Sequence, residues 1–205
     1  MTDIIYKNTA RLFSFIFNPF IIPTLGFLIV FFSLPTTALY SAQMKNILLG
    51  IIFVTSFVIP IAFILLLSAI SNFNSYMQHH RDRIFPYVFS AFSVFMGARL
   101  LAKLPVPQIF SLYMTAASIT LIILFIITMR WKISGHASGM GGLLGLLFAI
   151  TFKYGLDLTG FIIIAILVSG IVGTSRIYLQ KHTSAQVYAG LLVSFTIMFL
   201  TINFF

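Results

Sequence analysis

Three separated stretches of this chain carry residues able to handle a phosphate. HHRDR at 79–83 sets His79 and His80 beside Arg81, Asp82 and Arg83. KISGH at 132–136 holds Lys132, Ser134, Gly135 and His136, and SRIYLQKHTSAQ at 175–186 holds Ser175, Arg176, His182 and Gln186. Arg presents a planar fork of donors that matches phosphate oxygens. Ser134-Gly135, ahead of a helix expected to begin near Ala137, aims backbone N–H groups and the positive helix end at an anion. Two separated imidazoles can divide a phosphoryl transfer, one attacking phosphorus and the other protonating the leaving oxygen. Gln186 lies one turn beyond His182, where it can accept the Nδ1–H and leave the lone pair on Nε2, the orienting job of a triad carboxylate. On an ideal helix Ser175, His182 and Gln186 share a face. Any one of these residues alone is as well explained by solvation of a loop end at a membrane interface; the whole set is not.

Other chemistries fit less well. The chain has no Cys, so thiolate nucleophiles, disulfides and Cys-ligated metals are excluded. It has no Glu, His79-His80 is not an i, i+4 pair, and Asp82 is the one carboxylate beside the clusters, so no catalytic metal and no cofactor is expected.

The elements that must position these residues are membrane spans. Of 205 residues, 60% are hydrophobic and 7% charged, and the mean hydropathy is +1.10, far from the quarter or so of charged residues usual in a soluble domain. The net charge of +9 is scattered between apolar runs, which argues against nucleic acid and for anionic lipid or a phosphorylated substrate. Since roughly 20 apolar residues cross a bilayer as helix, strong spans are expected at 12–34, 47–71, 109–129 and 184–203, and weaker ones at 87–103, 138–153 and 159–174. The stretch 12–34 is long enough to be a span rather than a cleaved leader. The expected fold is all-α, a multi-pass bundle of six or seven helices in one domain, 1–205, with the weaker segments packed inside, where small residues permit close approach. Asn18-Pro19, Pro23 and Pro60 predict kinks or breaks.

If all seven segments cross, the breaks at 72–86, 130–137 and 175–183 lie on one side. That side carries Lys7, Arg11, Arg81, Arg83, Arg130, Lys132, Arg176 and Lys181, eight of the twelve basic residues. Basic residues mark the cytoplasmic side unless a ligand holds them.

Ser175-Arg176, five residues, His182, three residues, Gln186 resembles the third signature of the type 2 phosphatidic acid phosphatase (PAP2) superfamily, Ser-Arg, five residues, His, three residues, Asp. Ile133-Ser134-Gly135-His136 resembles its second, Pro-Ser-Gly-His, and the likeness covers about 76–190. The resemblance implies that His182 is a nucleophile forming a phosphohistidine, that His136 is the general acid, and that Arg176, Ser134 and Gly135 hold the phosphate. The first signature is Lys, six residues, Arg-Pro; here YMQHHRDRIFP supplies Arg83, with Arg81 beside it, and leaves the Lys role to Lys132 or His80. Ile133 stands where the family has Pro and Gln186 where it has Asp. The function implied is a metal-independent membrane phosphatase acting on a lipid phosphate or diphosphate, with a slight preference for a polyprenyl diphosphate such as undecaprenyl diphosphate. The alternative is a catalytically impaired relative that binds, moves or scaffolds phosphorylated lipids. The likeness also implies a bacterial cell membrane with the site facing outward, against the count of basic residues.

Overall fold

A computed structural model describes residues 2–70 and 81–205, except for the side chains of Thr2, Asp3 and Arg81. The protein is an all-α multi-pass bundle. Among the described residues, six helices are long and apolar enough to cross a membrane. The first combines α3 (Ala42–Phe53), a π-helical turn (Val54–Val58) and α4 (Ile59–Ile70). The others are α5 (Ile84–Leu101), α6 (Gln108–Thr128), α7 (Gly135–Tyr154), α8 (Thr159–Tyr178) and α9 (Ser184–Phe204). Six successive crossings put the α4–α5, α6–α7 and α8–α9 connections at one end, which is the site end.

The stretch 12–34, expected as one span, is two helices. α1 (Thr2–Ile16) and α2 (Ile22–Ser33) flank a non-helical turn at Asn18 and Pro19, where the Asn18 side chain accepts the N–H of Phe20 at 3.1 Å. Proline lacks the N–H that a continuing helix needs. α1 starts at the site end, where Tyr6 packs on Tyr178, and α2 leads to the opposite end, where Phe31 packs on Phe110. Broken backbone at membrane depth must find partners or line a cavity. Here the carbonyl of Pro23 accepts from the Tyr113 hydroxyl at 2.9 Å, and the carbonyl of Ser14, in the last turn of α1, bonds to His136 at 3.0 Å.

Pro60 acts through the π-helical turn just before it. The wider turn frees the carbonyl of Thr55, and Ser93 of α5 donates to it at 2.7 Å, tying the two spans together.

α7 is the inner helix of the bundle: 67% of its apolar window is buried, against 33% for α8. Its glycines face a neighbour, since a Cβ on Gly141 would overlap the Leu191 carbonyl of α9 and one on Gly145 would come within 2.5 Å of the Phe195 carbonyl. α8 was expected inside for the same reason, yet a Cβ on Gly160 or Gly170 would meet open space, and Ile163, Ile164 and Leu167 are exposed. Ala165, Ser169 and Gly173 do lie on its buried face, but Gly160 and Gly170 do not pack, so glycine content alone misplaces the helix.

Candidate active site

The α8–α9 turn fixes His182. α8 ends at Tyr178 and Gln180 takes a left-handed conformation, φ 53°. The N–H groups of Lys181 and His182 then turn back onto the carbonyl of Arg176, at 3.1 and 3.4 Å, and Gln180 N–H bonds to Ile177 at 2.9 Å. This is a Schellman-type ending with glutamine where glycine is usual. It separates Ser175 from His182, so the single helical face expected for Ser175, His182 and Gln186 does not form; Ser175 donates instead to the Ile171 carbonyl at 2.7 Å. α9 opens with a capping box: Thr183 Oγ1 accepts the N–H of Gln186 at 3.4 Å, and Gln186 Oε1 accepts that of Thr183 at 3.3 Å. The same Oε1 lies 3.0 Å from His182 Nδ1. The amide oxygen can only accept, so Nδ1 carries the hydrogen and Nε2 the lone pair.

Arg83, the N-cap residue of α5, brings the first stretch to the other two. Its Nη1 donates to the carbonyl of Ile133 at 2.8 Å, and its Nη2 lies 3.4 Å from His182 Nε2. Arg83 is 9% exposed and His182 6%. Ser134 N–H donates to the Gln186 carbonyl at 3.2 Å, which ties the second stretch to the third. Ser134 is the N-cap of α7, which begins at Gly135 rather than near Ala137; its Oγ accepts the N–H of Ala137 at 3.4 Å. That hydroxyl serves its own helix, while Gly135 and His136 reach the open space beyond.

That space is a cavity of about 390 Å³, within the usual size of a ligand pocket. Its polar mouth is formed by Arg83, Tyr87, Gly135, His136 and Arg176; below, Val94, Leu121, Leu124 and Leu143 line it, and Ile61, Ile64 and Leu65 carry it into α4. Leu65 is 61% exposed on the outside of the bundle, so the apolar end borders the lipid-facing surface. His182 and Ser134 do not line the cavity; His182 adjoins the mouth through Arg83. Arg176 Nε is buried there without a hydrogen-bond partner among the described residues. His136 Nε2 must be the protonated nitrogen, because it lies 3.0 Å from a carbonyl, that of Ser14.

Cations crowd this mouth. Lys132 feels Arg83, Lys181 and Arg176, with Asp82 the opposing carboxylate; burial first, and then those cations, push its pKa down. His182 is held down to about 3, by burial first and then Arg83, against the opposite pull of the Gln186 hydrogen bond. A neutral imidazole with its lone pair beside buried guanidinium groups has the arrangement that nucleophilic attack on a bound anion would require.

Structure therefore brings Arg83, Arg176, Gly135, His136, His182 and Gln186 together, with Lys132 in their field. His79, His80 and the side chain of Arg81 lie outside the described residues. Among those described, no three His, Asp or Glu side chains come together as metal ligands. Three participants escaped the sequence reading: the Ser14 carbonyl, Tyr87 and Ser90, whose buried hydroxyl lines the cavity without a partner among the described residues. Arg83, Tyr87, Ser90 and Val94 recur at helical spacing, a stripe the sequence could have shown. No family model, curated protein or solved structure matches the chain.

Proposed function

We propose that this chain is an integral membrane phosphatase that transfers the phosphoryl group of a lipid phosphate or diphosphate to His182. The reading is carried by one observation: His182, with its lone pair on Nε2, stands 3.4 Å from Arg83 at the mouth of a cavity whose far end borders lipid. The likeness of SRIYLQKHTSAQ and ISGH to phosphatidic acid phosphatase signatures supports it.

In this mechanism the phosphate takes the place beside Nε2 that the guanidinium marks. Arg83 and Arg176 bind its oxygens, the second through the Nε that has no partner among the described residues. The N-terminus of α7, at Gly135, adds its N–H groups and positive end, and Lys132 and Lys181 draw the anion in. The Nε2 lone pair forms a bond to phosphorus, and the bond to the lipid oxygen breaks with its electrons on that oxygen. Gln186 keeps the ring in register throughout. Water then attacks phosphorus, the N–P electrons return to Nε2, and inorganic phosphate leaves. The lipid tail lies along Val94, Leu121, Leu124 and Leu143 and leaves by α4. The family likeness gives His136 the proton for the lipid oxygen; with Nε2–H on the Ser14 carbonyl, only Nδ1 is left to deliver it.

The test is phosphate release from a long-chain lipid phosphate by purified protein in EDTA. Wild type should release phosphate, and His182→Ala should lose at least about 10³-fold. Equal release by both proteins contradicts the reading. Lipid phosphate binding that survives in both without any release instead supports a headgroup-binding protein, which the neutral Gln186 and the Arg83 contact on the nucleophile would favour.

A further inference from the structure

His136 is an awkward proton donor. Its one resting ring hydrogen is held by the Ser14 carbonyl, and donation from Nδ1 requires a second proton on a ring beside Arg176 and Arg83. The cavity mouth holds another group with a transferable proton. Tyr87 lies one turn past Arg83 on the stripe of α5 that lines the cavity. Its hydroxyl oxygen stands 3.0 Å from where a Cβ on Gly135 would be, so it reaches the N-terminus of α7, where the phosphate is placed. The phenol also faces the Arg83 guanidinium. A guanidinium has donors only, so it engages a lone pair of the phenolic oxygen and leaves the phenolic proton free to point elsewhere.

We propose that Tyr87 gives its proton to the departing lipid oxygen, an inference that rests on the phosphatase reading. As Nε2 of His182 bonds to phosphorus, the P–O bond breaks, its electron pair stays on the lipid oxygen, and that oxygen takes the Tyr87 proton. The phenolate left behind faces the Arg83 guanidinium. When water attacks the phosphohistidine, its proton passes to the phenolate, the N–P electron pair returns to Nε2, and Tyr87 is restored. Arg83 thereby serves both halves, first holding a phosphate oxygen and then balancing the phenolate. His136 becomes a positioning residue that holds the broken end of α1 against the site through Ser14.

A leaving-group comparison tests this. Dodecyl phosphate must expel an alkoxide, which needs a proton, whereas dodecyl diphosphate expels a phosphate, which does not, and the tails are identical. Tyr87→Phe keeps the ring and its packing. It should lower kcat on dodecyl phosphate by about 100-fold and on dodecyl diphosphate by less than about threefold, the size of a general-acid contribution. Circular dichroism and thermal melting in detergent that match the wild type check separately that the variant is folded. An equal loss on both substrates would make Tyr87 a support for Arg83, and no loss on either would remove it from the reaction; each overturns the proposal. If wild type releases no more phosphate than His182→Ala from either substrate, the phosphatase reading fails and the assignment of Tyr87 falls with it.

Discussion

The side-chain oxygen of Gln186 takes two hydrogens, from His182 Nδ1 at 3.0 Å and from the Thr183 backbone at 3.3 Å. One atom thus orients the proposed nucleophile and closes the cap of α9, a cap worth about 1 kcal/mol. The i, i+4 spacing of His182 and Gln186 made their pairing legible in the sequence. The second bond, which closes the cap, was not. Gln186→Glu keeps the reach of the cap and adds the negative charge that a phosphorylated imidazole lacks here. It should raise kcat at least about tenfold, a modest part of what a triad carboxylate supplies. An unchanged or lower kcat would mean that the site is built around the amide. The pH profile follows from His182, whose pKa of about 3 keeps Nε2 unprotonated above that value. As pH falls through 3 the lone pair is lost, so kcat/KM in the wild type should show no acid limb from His182 between about pH 4 and 7, the free-enzyme range. In Gln186→Glu the added carboxylate favours the imidazolium and moves that limb upward. The contact between His136 and Ser14 could not be read in advance, because a backbone carbonyl leaves no mark in residue identity.

Breaks matter as much as helices in placing this site. The α8–α9 turn depends on Gln180 at φ 53°, a conformation that costs a residue with a Cβ roughly 1–2 kcal/mol. Gln180→Gly should therefore raise stability by about 1 kcal/mol and Gln180→Val should lower it by a similar amount, read as Tm shifts in detergent. No shift in either variant would show that the turn is held by its neighbours instead. At the α7–α9 contact, Gly145→Ala forces a methyl to 2.5 Å from the Phe195 carbonyl, and a loss of about 1–3 kcal/mol is expected from such overpacking. Long apolar runs announced the spans within a few residues, because burial in lipid leaves no other reading for them. What they did not announce was the division of 12–34 into α1 and α2, although Asn18-Pro19 and Pro23 marked the place. A run of apolar residues does not say whether a break is bridged by a kink or by a turn that lines a cavity. Pro60 likewise marked a disturbance, but its form, a π-helical turn answered by Ser93, depends on a partner helix.

At the scale of the molecule, three connections separated by whole spans meet at one end, as alternate crossings require. Arg83 and His182, 99 residues apart in the chain, are brought within 3.4 Å by that topology. The cations gathered there include Arg83, Lys132, Arg176 and Lys181. Cations that hold an anion are poor reporters of the cytoplasmic side, so the outward-facing site implied by the signature likeness is a proposal to be tested. The chain has no native Cys, so single cysteines report cleanly. Lys181→Cys, exposed at the site end, should react with an impermeant thiol reagent on intact cells, and Lys103→Cys, exposed at the other end, only after permeabilisation. The reverse pattern would turn the site toward the cytoplasm. The most direct measurement is capture of the intermediate: purified protein is mixed with a long-chain lipid phosphate labelled in the phosphoryl group, quenched in alkali and mapped by mass spectrometry. A phosphoramidate on Nε2 of residue 182, absent from His182→Ala, is the expected result; phosphate release from wild type with no label on His182 at any quench time would contradict phosphoryl transfer to this residue.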